Sequence, residues 1–207
     1  MGMDIHYQAM PENCELLVWA RQEPNFGANL EFFESYATMS PEKLQQRLDN
    51  DQDPHFVKFV CQLRKLVEEH RGIGYRNLYF GRRWDSLYYL LSERRRKGEA
   101  QDWSHWVEKA IFGDQILNEA TQTTIGFPIR YLYPKEVSDI QNKLETVTKE
   151  MLCFHWNPPA MSAVAVYKIT ADADRDALNW ICEDFEKLKA FYTLIAGHDE
   201  GVLTFVS

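Results

Sequence analysis

Gly201-Val202-Leu203-Thr204-Phe205-Val206 is a glycine followed by five apolar or β-favouring residues at the end of the chain, and it reads as a terminal strand. Just before it, Leu178, Ile181, Cys182, Phe185, Leu188, Tyr192 and Ile195 recur at spacings of three and four, and Gly197 follows. That stripe is one face of a long amphipathic helix with a glycine stop. A strand needs a partner, and the other end of the chain offers one. In residues 3–9, Ile5 and Tyr7 alternate with Asp4, His6 and Gln8. Pairing the first and last strands in one small sheet under a cover of helices is the most economical arrangement. The expected class is therefore α+β, predominantly helical, with a small mixed or antiparallel sheet that includes the N- and C-terminal strands. Residues 127–133 read as a further short strand, with Pro128 suited to an edge or a strand start.

Between these ends the helix signals are dense. Pro11 suits the first position of a helix running to about Ala20, and Leu30, Phe33 and Tyr36 suggest a short helix after the loop at residues 24–27. Ser40-Pro41-Glu42 combines a capping hydroxyl, an N1 proline and an acid near the positive end of the dipole. Asp53-Pro54 repeats the signal, and Phe56, Phe59, Val60, Leu63, Leu66 and Val67 form the face that follows. Trp84, Leu87, Tyr88 and Leu91 mark another helix, residues 103–112 a shorter one ending at Gly113, and Pro134 opens one carrying Val137, Ile140, Leu144 and Val147.

The chain has 207 residues, 45% of them apolar and 26% charged, with a formal net charge of −8. That composition excludes a disordered chain and a disulfide scaffold, and as a whole it repels nucleic acid and anionic membranes. The charge is uneven. Residues 58–97 hold 11 basic and four acidic residues, so this stretch is +7 and the remainder is −15. Cations at a helix C-terminus account for Arg94 to Lys97, with Gly98 as the stop; the alternative is a patch for a phosphate-bearing or acidic partner. The start lacks a signal peptide, His6 breaks the myristoylation pattern, and no apolar run reaches the length of a bilayer span. Cys14, Cys61, Cys153 and Cys182 are scattered and read as reduced core thiols of a cytoplasmic protein.

Several stretches, taken in order, resemble a known family. They are the opening Met1-Gly2-Met3, the helix from Arg83-Trp84-Asp85 to Leu91, Ala110-Ile111-Phe112-Gly113, Arg130-Tyr131-Leu132-Tyr133-Pro134-Lys135-Glu136-Val137, and Pro159-Ala160-Met161 through Tyr167. Together they are similar to the YfbM-like family of bacterial domains of unknown function. The resemblance covers most of the chain, more loosely over residues 22–75. It implies a single YfbM-like domain over residues 1–207 with a mixed helix-and-sheet fold, and it implies no reaction. The family's central helix often carries a histidine where this chain has Tyr88, and the residue after Tyr167 is often proline where this chain has Lys168.

Local chemistry is sparse. Asp172, Asp174, Asp176 and Glu183 occupy carboxylate positions of a calcium loop, but its sixth position is Ala177 rather than glycine and a helix begins there. These acids read as helix-capping groups. Cys153-x-His155 supplies two metal ligands where three or four are needed, and no nucleophile elbow or glycine-rich phosphate loop occurs. No metal and no cofactor is expected. The aromatic excess leaves one candidate ligand-binding set, Trp84, Tyr88, Arg130, Tyr131 and His155, against the plainer reading that these rings are core. The expected function is a cytoplasmic ligand- or protein-binding module without catalysis, whose partner is a protein or a small molecule rather than nucleic acid or a membrane. The alternative is an enzyme, a hydrolase or transferase, with a site assembled from distant residues.

Overall fold

A computed structural model describes residues 4–23, 29, 32–51, 53–92, 106–117 and 127–206. The two chain ends do meet. Strand β1 (Ile5–Met10) runs antiparallel to β5 (Gly201–Val206), with Ile5 opposite Val206 and Met10 opposite Gly201. β2 (Asn77–Phe80) flanks β1, while β4 (Arg130–Leu132) and β3 (Gln115–Ile116) extend the other side. The order is β2-β1-β5-β4-β3, and every pairing is antiparallel. All of β5 except Val206 is buried, which explains the unbroken apolar run: helices cover both faces of the sheet. Tyr7 shows one cover, donating to the Ile111 carbonyl at 2.8 Å and meeting the Phe191 ring. Gln8, next in sequence and so on the opposite face, donates to the Ile73 carbonyl at 2.9 Å.

The helices are α1 (Glu15–Ala20), α2 (Phe33–Ala37), α3 (Pro41–Asn50), α4 (Pro54–Glu69), α5 (Trp84–Leu91) and α6 (Trp106–Phe112). After the sheet's β3 and β4 come α7 (Pro134–Thr146), α8 (Lys149–His155), α9 (Pro158–Ala163) and α10 (Arg175–Gly197). In α10 every residue of the expected stripe is buried, and Tyr192 donates to the Ala110 carbonyl at 2.9 Å. Burying each such side chain contributes about 1.5–3 kcal/mol, so this helix is a principal anchor of the sheet. Ser40 and Asp53 cap α3 and α4 as the sequence indicates.

Two boundaries differ from the sequence reading. The helix expected from Pro11 starts at Glu15, because the chain first turns: the Pro11 carbonyl receives the Cys14 N–H, and the Cys14 sulfur then caps Leu17. The strand expected over 127–133 contracts to Arg130–Leu132. β2, β3 and the separate helices α8 and α9 were not anticipated, and of the cysteines read as core thiols Cys14 and Cys182 are buried whereas Cys61 and Cys153 are exposed. The expectations for residues 24–27, Leu30, Arg94 to Lys97, Gly98 and Trp103 lie outside the described residues.

One cation of the basic stretch is absorbed by this fold. Arg76, buried beside the α10–β5 turn, donates to both oxygens of buried Glu200 at 2.8 and 2.6 Å.

Candidate functional site

The chain leaves β2 through Gly81-Arg82-Arg83 and enters α5, whose first-turn Asp85 is buried. The Asp85 carboxylate accepts the backbone N–H of Tyr167 at 2.9 Å and so pins the segment that follows α9 against α5. That segment is tightly wound, with Ala165 and Lys168 both at φ 58°. A left-handed backbone costs a residue with a Cβ about 1–2 kcal/mol and persists where surrounding contacts impose it. Between the pinned segment, the β2–α5 connection and the first turns of α10 lies a groove of about 620 Å³, within the size range of small-molecule sites.

Four cations line this groove, Arg82, Arg83, Lys168 and Lys187, against two carboxylates, Asp4 and Asp184. Asp184 is buried. It receives Arg83 through Nε at 2.6 Å and Nη2 at 3.2 Å, and Lys187 Nζ at 3.1 Å. This hydrogen-bonded carboxylate raises the Arg83 pKa further. Asp4 accepts the Tyr79 hydroxyl at 2.5 Å, which holds that phenol above its ordinary pKa. Both acids are thus engaged by donors of the protein, Asp4 through Oδ2 alone, its Oδ1 being buried without a hydrogen-bond partner among the described residues.

Arg82 and Lys168 differ from their neighbours. Arg82 Nη1 donates to the neutral Tyr167 hydroxyl at 3.3 Å, and Lys168 Nζ lies 5.8 Å from the Tyr167 ring centroid. Among the described residues neither pairs with a carboxylate. Besides Tyr167, two exposed aromatic rings line the groove, Tyr79 at 55% exposure and Trp180 at 54%. The result is an electropositive, aromatic concavity on an acidic protein.

The sequence-predicted set takes other positions. Trp84 and Tyr88, one turn apart on α5, pack on Phe112 with ring centroids 5.3 and 5.6 Å away. The Tyr88 hydroxyl donates to buried Glu108, whose second oxygen has no partner among the described residues. His155 Nδ1 is 2.9 Å from the Leu90 carbonyl at the far end of the same helix. Arg130 donates to the Asp114 carbonyl at 2.7 Å, and burial lowers its pKa. Tyr131 points to the opposite face of the sheet, where it donates to the Met10 carbonyl at 3.0 Å. Trp84, Tyr88 and His155 are therefore joined through α5, whereas Arg130 and Tyr131 diverge as neighbours on a strand must.

Beside Arg130, Lys109 bridges Asp114 at 2.9 Å and Glu136 at 2.8 Å, joining the α6–β3 turn to α7. Burial raises the Glu136 pKa. At Asp114 burial acts upward too, but hydrogen bonds from Glu136 and Lys109 outweigh it and leave that pKa lowered. Asp174 caps α10, its Oδ1 accepting the N–H groups of Asp176 and Ala177 at 3.0 and 3.2 Å. Among the described residues no three His, Cys, Asp or Glu side chains gather as a metal site requires, and no helix is long and apolar enough to cross a membrane.

Three groove residues carried a signal that the sequence reading did not use. Arg82 and Arg83 stand before the N-terminus of α5, where the dipole disfavours cations, so helix-end chemistry does not explain them. Trp180 falls off the apolar stripe of α10. Lys168 gave no such signal.

The comparisons with known proteins agree with the architecture. A family model described as "Domain of unknown function (DUF1877)" matches residues 32–205. The solved structure of a protein of unknown function, YfbM from Escherichia coli, superposes with a TM-score of 0.53 at 13% sequence identity, covering 99% of each chain. At that identity the likeness is one of fold. No curated protein matches.

Proposed function

We propose, for a chain that belongs to the DUF1877 family of unknown function, a binding module that works as one folded unit over residues 1–207 in the cytoplasm and holds an anionic ligand in the groove between β2, α5 and α10. The observation that carries this reading is the pair Arg82 and Lys168, neither engaged by a carboxylate among the described residues, lining a groove of about 620 Å³ on a chain of net charge −8. Within the groove Arg83 is paired with Asp184, and buried or bridging cations of the fold are paired as well: Arg76 with Glu200, and Lys109 with Asp114 and Glu136. Two cations left without such partners inside a concave site gain by receiving an anion from solution.

Isothermal titration calorimetry with inorganic phosphate and with citrate tests the reading. The wild-type chain is expected to bind one or both, more weakly as salt rises, and the Arg82→Ala/Lys168→Ala double variant is expected to lose binding while keeping its melting temperature. Equal binding by the double variant would place the anion site elsewhere and overturn the proposal.

A further inference from the structure

The groove contains a feature that anion binding alone does not require. Trp180 lies on the solvent side of α10, outside the buried stripe, with 54% of its surface exposed. Its indole makes no hydrogen bond and no ring contact among the described residues. Tyr79, on the edge strand β2, is 55% exposed and lines the same groove, its hydroxyl held by Asp4. Two aromatic side chains exposed in one concavity beside cations are the kind of lining that small-molecule sites use. The cations are held in place as well. Lys168 is presented on a left-handed backbone in a segment anchored by buried Asp85, and Arg82 is held by the Tyr167 hydroxyl.

We infer that the ligand is a planar aromatic anion: a flat ring that stacks on the Trp180 indole, bearing a phosphate or carboxylate that Arg82 and Lys168 receive. This rests on the reading of the groove as an anion site and adds the aromatic half of the ligand to it. An indole face offers a flat, polarizable surface to any π system, and stacking of a base on such a ring is worth about a five- to 150-fold change in affinity. An inorganic anion cannot use that surface. A flexible acidic peptide would match the charges, yet it would leave the indole idle. The volume also suits a single ring system with one charged group.

The experiment is calorimetric titration of the full chain with four probes: adenosine monophosphate, indole-3-carboxylate, inorganic phosphate and a short polyglutamate peptide. At least one aromatic anion is expected to bind about tenfold or more tightly than phosphate. Trp180→Leu should remove that advantage and leave phosphate affinity as it was, and Trp180→Phe should restore part of it. Separate loss with phosphate-carrying or carboxylate-carrying rings tells which headgroup the cations prefer. If Trp180→Leu leaves the aromatic probes unchanged while Arg82→Ala/Lys168→Ala abolishes binding, the inference fails and the anion site stands. Tighter binding of polyglutamate than of either aromatic probe also overturns the inference. If no probe binds, both readings fall. Because Trp180 is exposed, its variants should melt with the wild type, so a loss of affinity cannot be ascribed to unfolding.

Discussion

Arg76 and Arg82 stand six residues apart in the same basic stretch, and the fold treats them in opposite ways. Arg76 is buried and fully engaged by a carboxylate that arrives from 124 positions away, in the turn between α10 and β5. Arg82 lies in a groove with a neutral phenol for company. Among the described residues of this stretch a cation thus serves either as a brace, as Arg76 does on Glu200, or as a charge facing an open concavity, as Arg82 does. What separates them is the path of the chain. At the Glu200 end of α10 the carboxylate meets Arg76 directly, while at the Trp180 end Arg83 ties the β2–α5 connection to Asp184 and the groove lies alongside.

The sharpest way to break this contrast is to remove the brace. Glu200→Leu leaves a buried guanidinium without its partner and should cost about 3–5 kcal/mol in urea unfolding. The Arg76→Leu/Glu200→Leu double variant should recover much of that loss. Arg82→Leu should shift stability by less than about 0.5 kcal/mol, since an exposed side chain supports little. Equal costs for Glu200→Leu and Arg82→Leu would erase the distinction. Next in size is Gly201→Ala. A Cβ there would sit 2.2 Å from the Tyr131 hydroxyl and 2.4 Å from the Leu132 carbonyl oxygen. Neither the ring, tied to Met10, nor the strand backbone can withdraw cheaply, so a loss of about 1–3 kcal/mol is expected. Gly197→Ala, at the end of the preceding helix with open space around it, should cost nothing by the same assay.

These two regions were unequally legible in the sequence. The brace belongs to the part where periodicity speaks: the α10 stripe and the alternation of Ile5 and Tyr7 lead to the pairing of β1 with β5, because a buried face forces apolar residues into register. β2 escaped notice because four residues beginning with Asn77 carry too short an alternation, and their strand character comes from lying beside β1. Pro11 misled for a related reason. Its fixed φ suits a first helical turn and an open turn alike, and the continuation of β1 to Met10 decides between them. The groove was less accessible still. Its residues come from four separated segments, and Trp84 and Tyr88, the aromatics that did attract notice, are core rings against Phe112. A helix-face Trp inside a stripe and one outside it differ only in position: Trp84 is buried, while Trp180 is 54% exposed.

The smallest expected effect discriminates most sharply, because it sets stability against binding at one position. Lys168 holds φ 58°, which costs an L-residue about 1–2 kcal/mol, whereas glycine adopts it freely and loses about 0.5–1 kcal/mol through its greater freedom in the unfolded chain. Lys168→Gly should therefore raise stability by about 0.5 kcal/mol, a shift of about 1–2 °C in melting temperature for a chain of this size. Lys168→Ala keeps the Cβ and the strain and should show no gain. Both variants lose the ammonium group and should lose affinity for anions equally. A glycine variant that melts below the alanine variant would mean that the backbone at this position is relaxed, and the positioning of Lys168 over the groove would then owe nothing to the strained turn that Asp85 pins.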